Sequence, residues 1–352
     1  MSEVTALQNL VVNWHAFASL DCVRRLQARS LDALGYGPRE SRGRTVWSEP
    51  GVRLRRFGAR RAGGPLLVLV PAPIKRACIF DLAPEVSVVR RCVEAGARVY
   101  LLEWQGADPE FGLAEFADRL ILDCLEAAGD EPPIVIAHSL GGLLAAVFAA
   151  LHPARVRGLV LLAAPVHFSR EAGILGRMVS GVDPAHLPEL VPGSFLTTMS
   201  LHAAPGTFCW ERWLDLARST FETELFRNHL RVERWTLDET AIPRRLFAEL
   251  VFLLAREDRF ARGGLTIAGR PATPSRITAP LLCVVDPGCS IVPVAAVQPL
   301  LDAVASEDKS LLEYRVEAGV CLQHVAPLVG RYAHAELWPR ILRWIAAHWV
   351  TH

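Results

Sequence analysis

The stretch Pro133-Ile134-Val135-Ile136-Ala137-His138-Ser139-Leu140-Gly141-Gly142 constrains the fold of this chain more than any other. A short β-branched run, Ile134 to Ile136, stops at a small residue, a serine and two glycines. Small and aliphatic residues from Leu143 to Ala150 then read as a buried helix. Strand, sharp turn and helix with a serine at the apex form a nucleophile elbow. The turn is strained, so the neighbours of the serine must be small for strand and helix to close on each other. Ala137 takes the first position of the usual G-x-S-x-G pattern, where glycine is commoner. The backbone N–H of Leu140, at the helix start, would face an oxyanion formed on attack at Ser139. A serine between strand and helix can also be a plain N-cap, but strand, small flanks and buried helix together favour a nucleophile.

The surrounding segments fit the same scheme. Thr45-Val46-Trp47 and Val52 to Phe57 alternate as half-exposed strands do. Gly63-Gly64 turns into Leu66-Leu67-Val68-Leu69-Val70, a continuous apolar run suited to a parallel strand buried on both faces. A helix over 85–95, a strand over 98–104, a helix over 113–127, the elbow, and a strand over 158–164 follow. Strands thus alternate with helices four times between 64 and 170, which predicts an α/β sandwich around a mostly parallel sheet. The rhythm breaks between 166 and 275, where Trp210, Trp213 and Trp235 lie among polar residues, Pro and Gly. This stretch is expected to be an inserted helical cap. The sheet should resume at 280–286 and finish at 311–316, with closing helices over 294–305 and 333–348. The expected division is an N-terminal helical segment over 1–43, a core over 44–165 and 276–352, and a cap over 166–275. In the N-terminal segment Leu7, Leu10, Val11, Trp14, Phe17, Ala18 and Leu26 recur at helical spacing. It reads either as a helix laid on the domain or as one offered to a partner.

Composition restricts the function. At 352 residues, 51% hydrophobic and 21% charged, the chain can bury a large core, and its net charge of +1 gives no reason to expect nucleic-acid binding. Its eight cysteines lack C-x-x-C pairs and several stand in apolar runs, as reduced core thiols do in a cytoplasmic protein. Cys and His show no metal-ligand spacing in sequence, so no zinc site and no cofactor are expected. No secretory leader pattern and no apolar run near the ~20 residues of a membrane span occur; the expected location is the cytoplasm.

The serine needs partners. In an elbow fold the acid and then the histidine follow the nucleophile in chain order. His324 is the only histidine in the loop after the last expected strand, and its work would be to take and return the Ser139 proton; a capping or solvent-facing role is the alternative. For the acid, Asp286 ends the strand over 280–286. Glu171 is the other choice, or there is no acid. The loop after Val70, Pro71-Ala72-Pro73-Ile74-Lys75-Arg76, should supply the second oxyanion donor; Pro73 has no N–H, which leaves Ala72 or Ile74.

Longer motifs carry a resemblance. They are Phe80-Asp81-Leu82-Ala83-Pro84-Glu85, Val99 to Trp104, Arg234-Trp235-Thr236-Leu237-Asp238-Glu239-Thr240-Ala241-Ile242-Pro243, and Gly263-Gly264-Leu265-Thr266-Ile267-Ala268-Gly269-Arg270. From about residue 65 to 350 the chain resembles the polyhydroxyalkanoate synthases, particularly the short type that works with a second subunit. The resemblance implies an α/β-hydrolase fold with an inserted helical cap, an acyl-CoA or acyl-carrier-protein substrate and a second protein subunit as partner. It also marks three departures. The family's nucleophile is a cysteine and here is Ser139; the family's acid stands where Cys289 is, two residues before Ile291-Val292-Pro293; and a family Pro-Val-Asp-Phe is Pro165-Val166-His167-Phe168. The family histidine matches His324, with Gln323 in front of it. A serine ester is a poorer leaving group than a cysteine thioester, so the expectation is single acyl transfer or hydrolysis of an acyl thioester through a Ser139 acyl-enzyme. An esterase or polyester depolymerase, or an inactive synthase-like partner, are the alternatives.

Overall fold

A computed structural model describes residues 13–58, 63–168, 173–176, 182 and 186–349. Its centre is an eight-stranded sheet. The strands are β1 (Arg44–Glu49), β2 (Val52–Phe57), β3 (Leu66–Val70), β4 (Arg98–Trp104), β5 (Ile134–His138) and β6 (Gly158–Leu162). After four short strands outside this sheet, β7 (Leu190–Val191), β8 (Ile242–Pro243), β9 (Thr266–Ile267) and β10 (Arg270–Pro271), it is completed by β11 (Leu281–Val285) and β12 (Lys309–Glu313). The spatial order is β1-β2-β4-β3-β5-β6-β11-β12. The β1–β2 and β2–β4 pairs are antiparallel and every later pair is parallel.

The sequence explains the layering. β3, β5, β6 and β11 are buried at every residue, as unbroken aliphatic runs require when helices cover both faces. β2 is buried at Val52, Leu54 and Phe57 only, matching its alternating pattern. The last strand is displaced from the expected 311–316: as an outer strand it is half exposed, so apolarity alone did not fix its bounds.

The α-helices among the described residues are α1 (Trp14–Ala33), α2 (Val88–Glu94), α3 (Leu120–Ala128), α4 (Leu140–Leu151), α5 (Gly193–Ala203), α6 (Glu211–Ser219), α7 (Thr223–Thr236), α8 (Arg244–Glu249), α9 (Gln298–Ala303), α10 (Ala326–Val329) and α11 (Trp338–His348). α4 is buried from Gly141 to Leu151 and runs from the middle of the sheet. The described part of the segment between β6 and β11 contributes no strand to the main sheet; α5 to α8 and two small antiparallel ribbons, β7–β8 and β9–β10, make up an insert. π-helical turns at Gly206–Trp210 and Leu250–Arg256 interrupt it. Of the N-terminal positions, Leu7, Leu10 and Val11 lie outside the described residues. The others lie on α1, which is held against α7 by paired Arg234–Asp32 hydrogen bonds of 2.7 Å. Among the described residues no helix is long and apolar enough to cross a membrane.

Candidate active site

Ser139 stands between β5 and α4 with φ 55° and ψ −131°, a conformation that L side chains seldom adopt. Two contacts hold it there. Its N–H donates to Leu162 O on β6 (3.0 Å), and its carbonyl accepts from Gly142 N–H (2.8 Å). The glycines are needed for close approach. A Cβ on Gly141 would lie 2.4 Å from Pro71 O and 2.5 Å from Val70 O, and one on Gly142 would lie 2.4 Å from the Ala164 Cβ. Helix α4 therefore begins jammed against the end of β3 and the residues after β6. Only hydrogen-sized side chains permit that.

His324 reaches the serine from the far end of the chain. It lies in a short turn, Gln323–Val325, after β12, and its Nε2 is 2.8 Å from Ser139 Oγ. Several bonds fix that loop. Asp215 on α6 accepts from the N–H groups of Gly319 (2.9 Å) and Cys321 (2.7 Å), and Asn228 on α7 donates to Gly319 O (2.7 Å) and Val329 O (3.0 Å). His138 Nε2 lies 3.0 Å from the carbonyl of His324, which can only accept, so that nitrogen carries the proton. The two imidazoles are 4.9 Å apart between centroids. Burial, and then the His138 ring beside it, hold His324 well below the usual histidine range. Burial likewise brings His138 down to about 4. Both rings are neutral at pH 7, and a neutral His324 can accept the Ser139 proton.

The expected acid is not brought to the histidine. His324 Nδ1 is buried and has no hydrogen-bond partner among the described residues. Asp286, expected to orient it, instead closes the turn after β11. Its Oδ1 accepts from Gly288 N–H (2.9 Å) and its carbonyl accepts from Cys289 N–H (2.9 Å), a local Asx-type turn. Burial pushes the Asp286 carboxyl up. The residue lines a separate surface cavity of about 590 Å³, with Tyr314, Glu336 and Arg340, that touches neither Ser139 nor His324. Cys289 is buried, with Sγ 3.5 Å from Val292 N. Glu171 lies outside the described residues.

Ser139 and His324 open on a cavity of about 200 Å³ with mainly apolar walls, among them Leu143, Phe168, Phe208, Trp235 and Ile291. Leu140, Ala72 and Ile74 line it too. As the first residue of α4, Leu140 has no intrahelical acceptor for its N–H. The loop bearing Ala72 and Ile74 is tied down by Trp104 Nε1 donating to Pro71 O (2.7 Å) and by Thr240 N–H donating to Ile74 O (3.2 Å).

The sequence reading missed a polar group in the same cavity. Lys75 Nζ donates to Thr236 O (2.6 Å) and Glu239 Oε1 (2.7 Å); Arg24 from α1 donates to Thr236 O (2.7 Å) and lies 3.5 Å from Glu239. Thr197 completes the set by donating to Glu239. Burial lowers the Lys75 ammonium's pKa even against the adjacent carboxylate. The group joins the loop after β3, α1, α5 and the end of α7 at one place. Lys75 and Glu239 each stand within a stretch noted for other reasons, but their meeting across the cavity is a tertiary fact.

The family description "alpha/beta hydrolase fold" matches residues 81–181. A monoacylglycerol lipase from Paleococcus ferrophilus superposes with a TM-score of 0.53 at 17% identity, over 84% of this chain and 99% of that one. The chain therefore has the α/β-hydrolase fold. Over 339 residues it is 26% identical to the poly(3-hydroxyalkanoate) polymerase subunit PhaC of Haloferax mediterranei, covering 92% of this chain and 66% of that protein. The PhaC subunit of Allochromatium vinosum is 25% identical over 91% of both chains. The chain is thus similar to polyhydroxyalkanoate synthase subunits, and it spans about two thirds of the length of the haloarchaeal relative.

Proposed function

We propose that the chain transfers or hydrolyses an acyl group, a hydroxyacyl group among them, from a coenzyme A or carrier-protein thioester through a Ser139 acyl-enzyme, with the insert acting as a cap over the site. The observation that carries this is the 2.8 Å contact between Ser139 Oγ and the neutral His324 Nε2 at the mouth of an apolar cavity. The synthase relatives and the lipase-like fold support acyl chemistry. In the proposed reaction Nε2 takes the Oγ proton as Oγ bonds to the thioester carbonyl carbon. The oxyanion is held by the Leu140 N–H and by that of Ala72 or Ile74, and the C–S bond breaks as the departing sulfur takes the proton back. Water, an alcohol or an amine then removes the acyl group, with His324 again the base. Among the described residues nothing fixes the His324 tautomer from the Nδ1 side, and loss of the acid from a complete triad costs on the order of 10⁴ in rate. Slow turnover follows.

The unpartnered Nδ1 and the Cys289 position favour a second reading, an inactive synthase-like partner. Thiol release from 3-hydroxyacyl-CoA and plain acyl-CoA separates the two. Turnover that falls by roughly 10³ or more in Ser139→Ala supports the enzyme; equal thiol release from both proteins leaves the partner reading. Faster cleavage of a matched oxoester would assign an esterase instead.

A further inference from the structure

The loop that presents His324 meets the insert at a second group of reactive side chains. His229 and Glu233 stand one helical turn apart on the same side of α7, and Cys321 faces them from the loop, at φ 60°. A ring nitrogen of His229, a carboxylate oxygen of Glu233 and Cys321 Sγ all lie within 4.8 Å of one another. Each is already polarised by a neighbour. His229 Nδ1 is 2.7 Å from Asp215 Oδ2, and the same carboxylate accepts two backbone N–H groups, so Nδ1 is the donor and the ring lone pair is on Nε2. Glu233 divides its oxygens: Oε1 accepts from Arg212 Nη2 (2.5 Å) and Oε2 from the Cys321 thiol (3.1 Å).

We propose that His229, Glu233 and Cys321 bind one zinc-class divalent cation through nitrogen, oxygen and sulfur, with a fourth position for water. A carboxylate on the far nitrogen is the usual support of a metal-bound imidazole. Thiolate with imidazole selects zinc or cobalt over magnesium or calcium. Ligands about 2.0–2.3 Å from such an ion stand roughly 3.3–3.8 Å apart, so the side chains need only draw together slightly. The cation replaces the thiol proton, which leaves to solvent. Glu233 keeps Arg212 on Oε1 and turns Oε2 to the metal. Carboxylate and thiolate together neutralise the ion. Because binding displaces the thiol proton, affinity increases with pH. The bound ion fastens α7 to the loop that ends at His324.

Cobalt(II) titration of the metal-free whole chain tests this, read by the near-ultraviolet thiolate-to-cobalt band. The exposed thiols of Cys22 and Cys209 are first replaced by serine so that they cannot give the signal. One equivalent should bind, zinc should displace it, and Cys321→Ser should abolish the band. Glu233→Gln should weaken cobalt at least tenfold. Absence of the band in the parent, or its survival unchanged in folded Cys321→Ser or Glu233→Gln protein, overturns the site. No part of this readout depends on Ser139.

Discussion

Ser139 and His324 form a couple with no third member among the described residues, and its behaviour with pH follows from the surroundings of the histidine. In the apolar wall, with His138 adjacent, protonation of His324 is disfavoured, so its folded pKa lies well below 6.5. The base stays competent as pH falls through 6.5, and the acid limb of Ser139 reactivity should appear only well below that value. A pH series of serine labelling rates checks this; half-loss at 6.5 or above would place the imidazole in an ordinary aqueous setting. With no partner among the described residues, the buried Nδ1 donor costs about 1–3 kcal/mol. Ser139 and His324, which occupy the positions that chain order assigns to a nucleophile and a base, do meet in the fold. The sequence misled at Asp286. A carboxylate at a strand end can serve the neighbouring turn as well as a distant imidazole, and the nearby Gly288 N–H won.

At the scale of elements, β5, the elbow and α4 act as one unit wedged between β3 and β6. Gly141→Ala puts a methyl group within 2.5 Å of two backbone carbonyl oxygens, and backbone cannot move aside as a side-chain tip can. We expect a loss of about 1–3 kcal/mol, the usual cost of overpacking, read as a lower melting temperature. An unchanged melting temperature would mean that α4 does not start against Pro71. Strands β3, β4 and β5 were legible because unbroken aliphatic runs bounded by turns leave little choice. The insert was not. Its π-helical turns at Gly206–Trp210 and Leu250–Arg256 add a residue to the helical period and blur the 3.6-residue pattern, while placing Phe208, Leu250 and Val251 on the cavity. The proposed metal ligands escaped for a similar reason. A search for close Cys and His spacing cannot see Cys321 brought to α7 by the fold.

For the whole molecule, buried histidines set acid stability. His138 and His334 are each held at about 4, chiefly by burial; at His334, Arg91 Nε also donates to Nδ1 (2.9 Å), so a proton there would meet a guanidinium. The unfolded chain takes up these protons near 6.5 and the folded chain does not. The stability they contribute is therefore complete above 6.5 and is lost as pH falls towards 4, on the order of 3 kcal/mol per group. His324 adds to the same trend. Glu317 opposes it: burial holds its carboxyl up to about 7, so its contribution is present below the ordinary carboxyl range and lost as pH rises through 7. Three histidines outweigh one carboxyl. The melting temperature should fall between pH 6.5 and 4.5, and a flat profile there would show those rings already charged in the fold.

Ser139 is proposed as an activated nucleophile served by His324, with no acid partner among the described residues. Intact mass after treatment with a fluorophosphonate tests it most directly, with wild type beside Ser139→Ala and His324→Ala. One adduct is expected on the wild type, none on Ser139→Ala, and labelling slowed by at least a hundredfold in His324→Ala. No adduct on folded wild type, or equal labelling without His324, would contradict it.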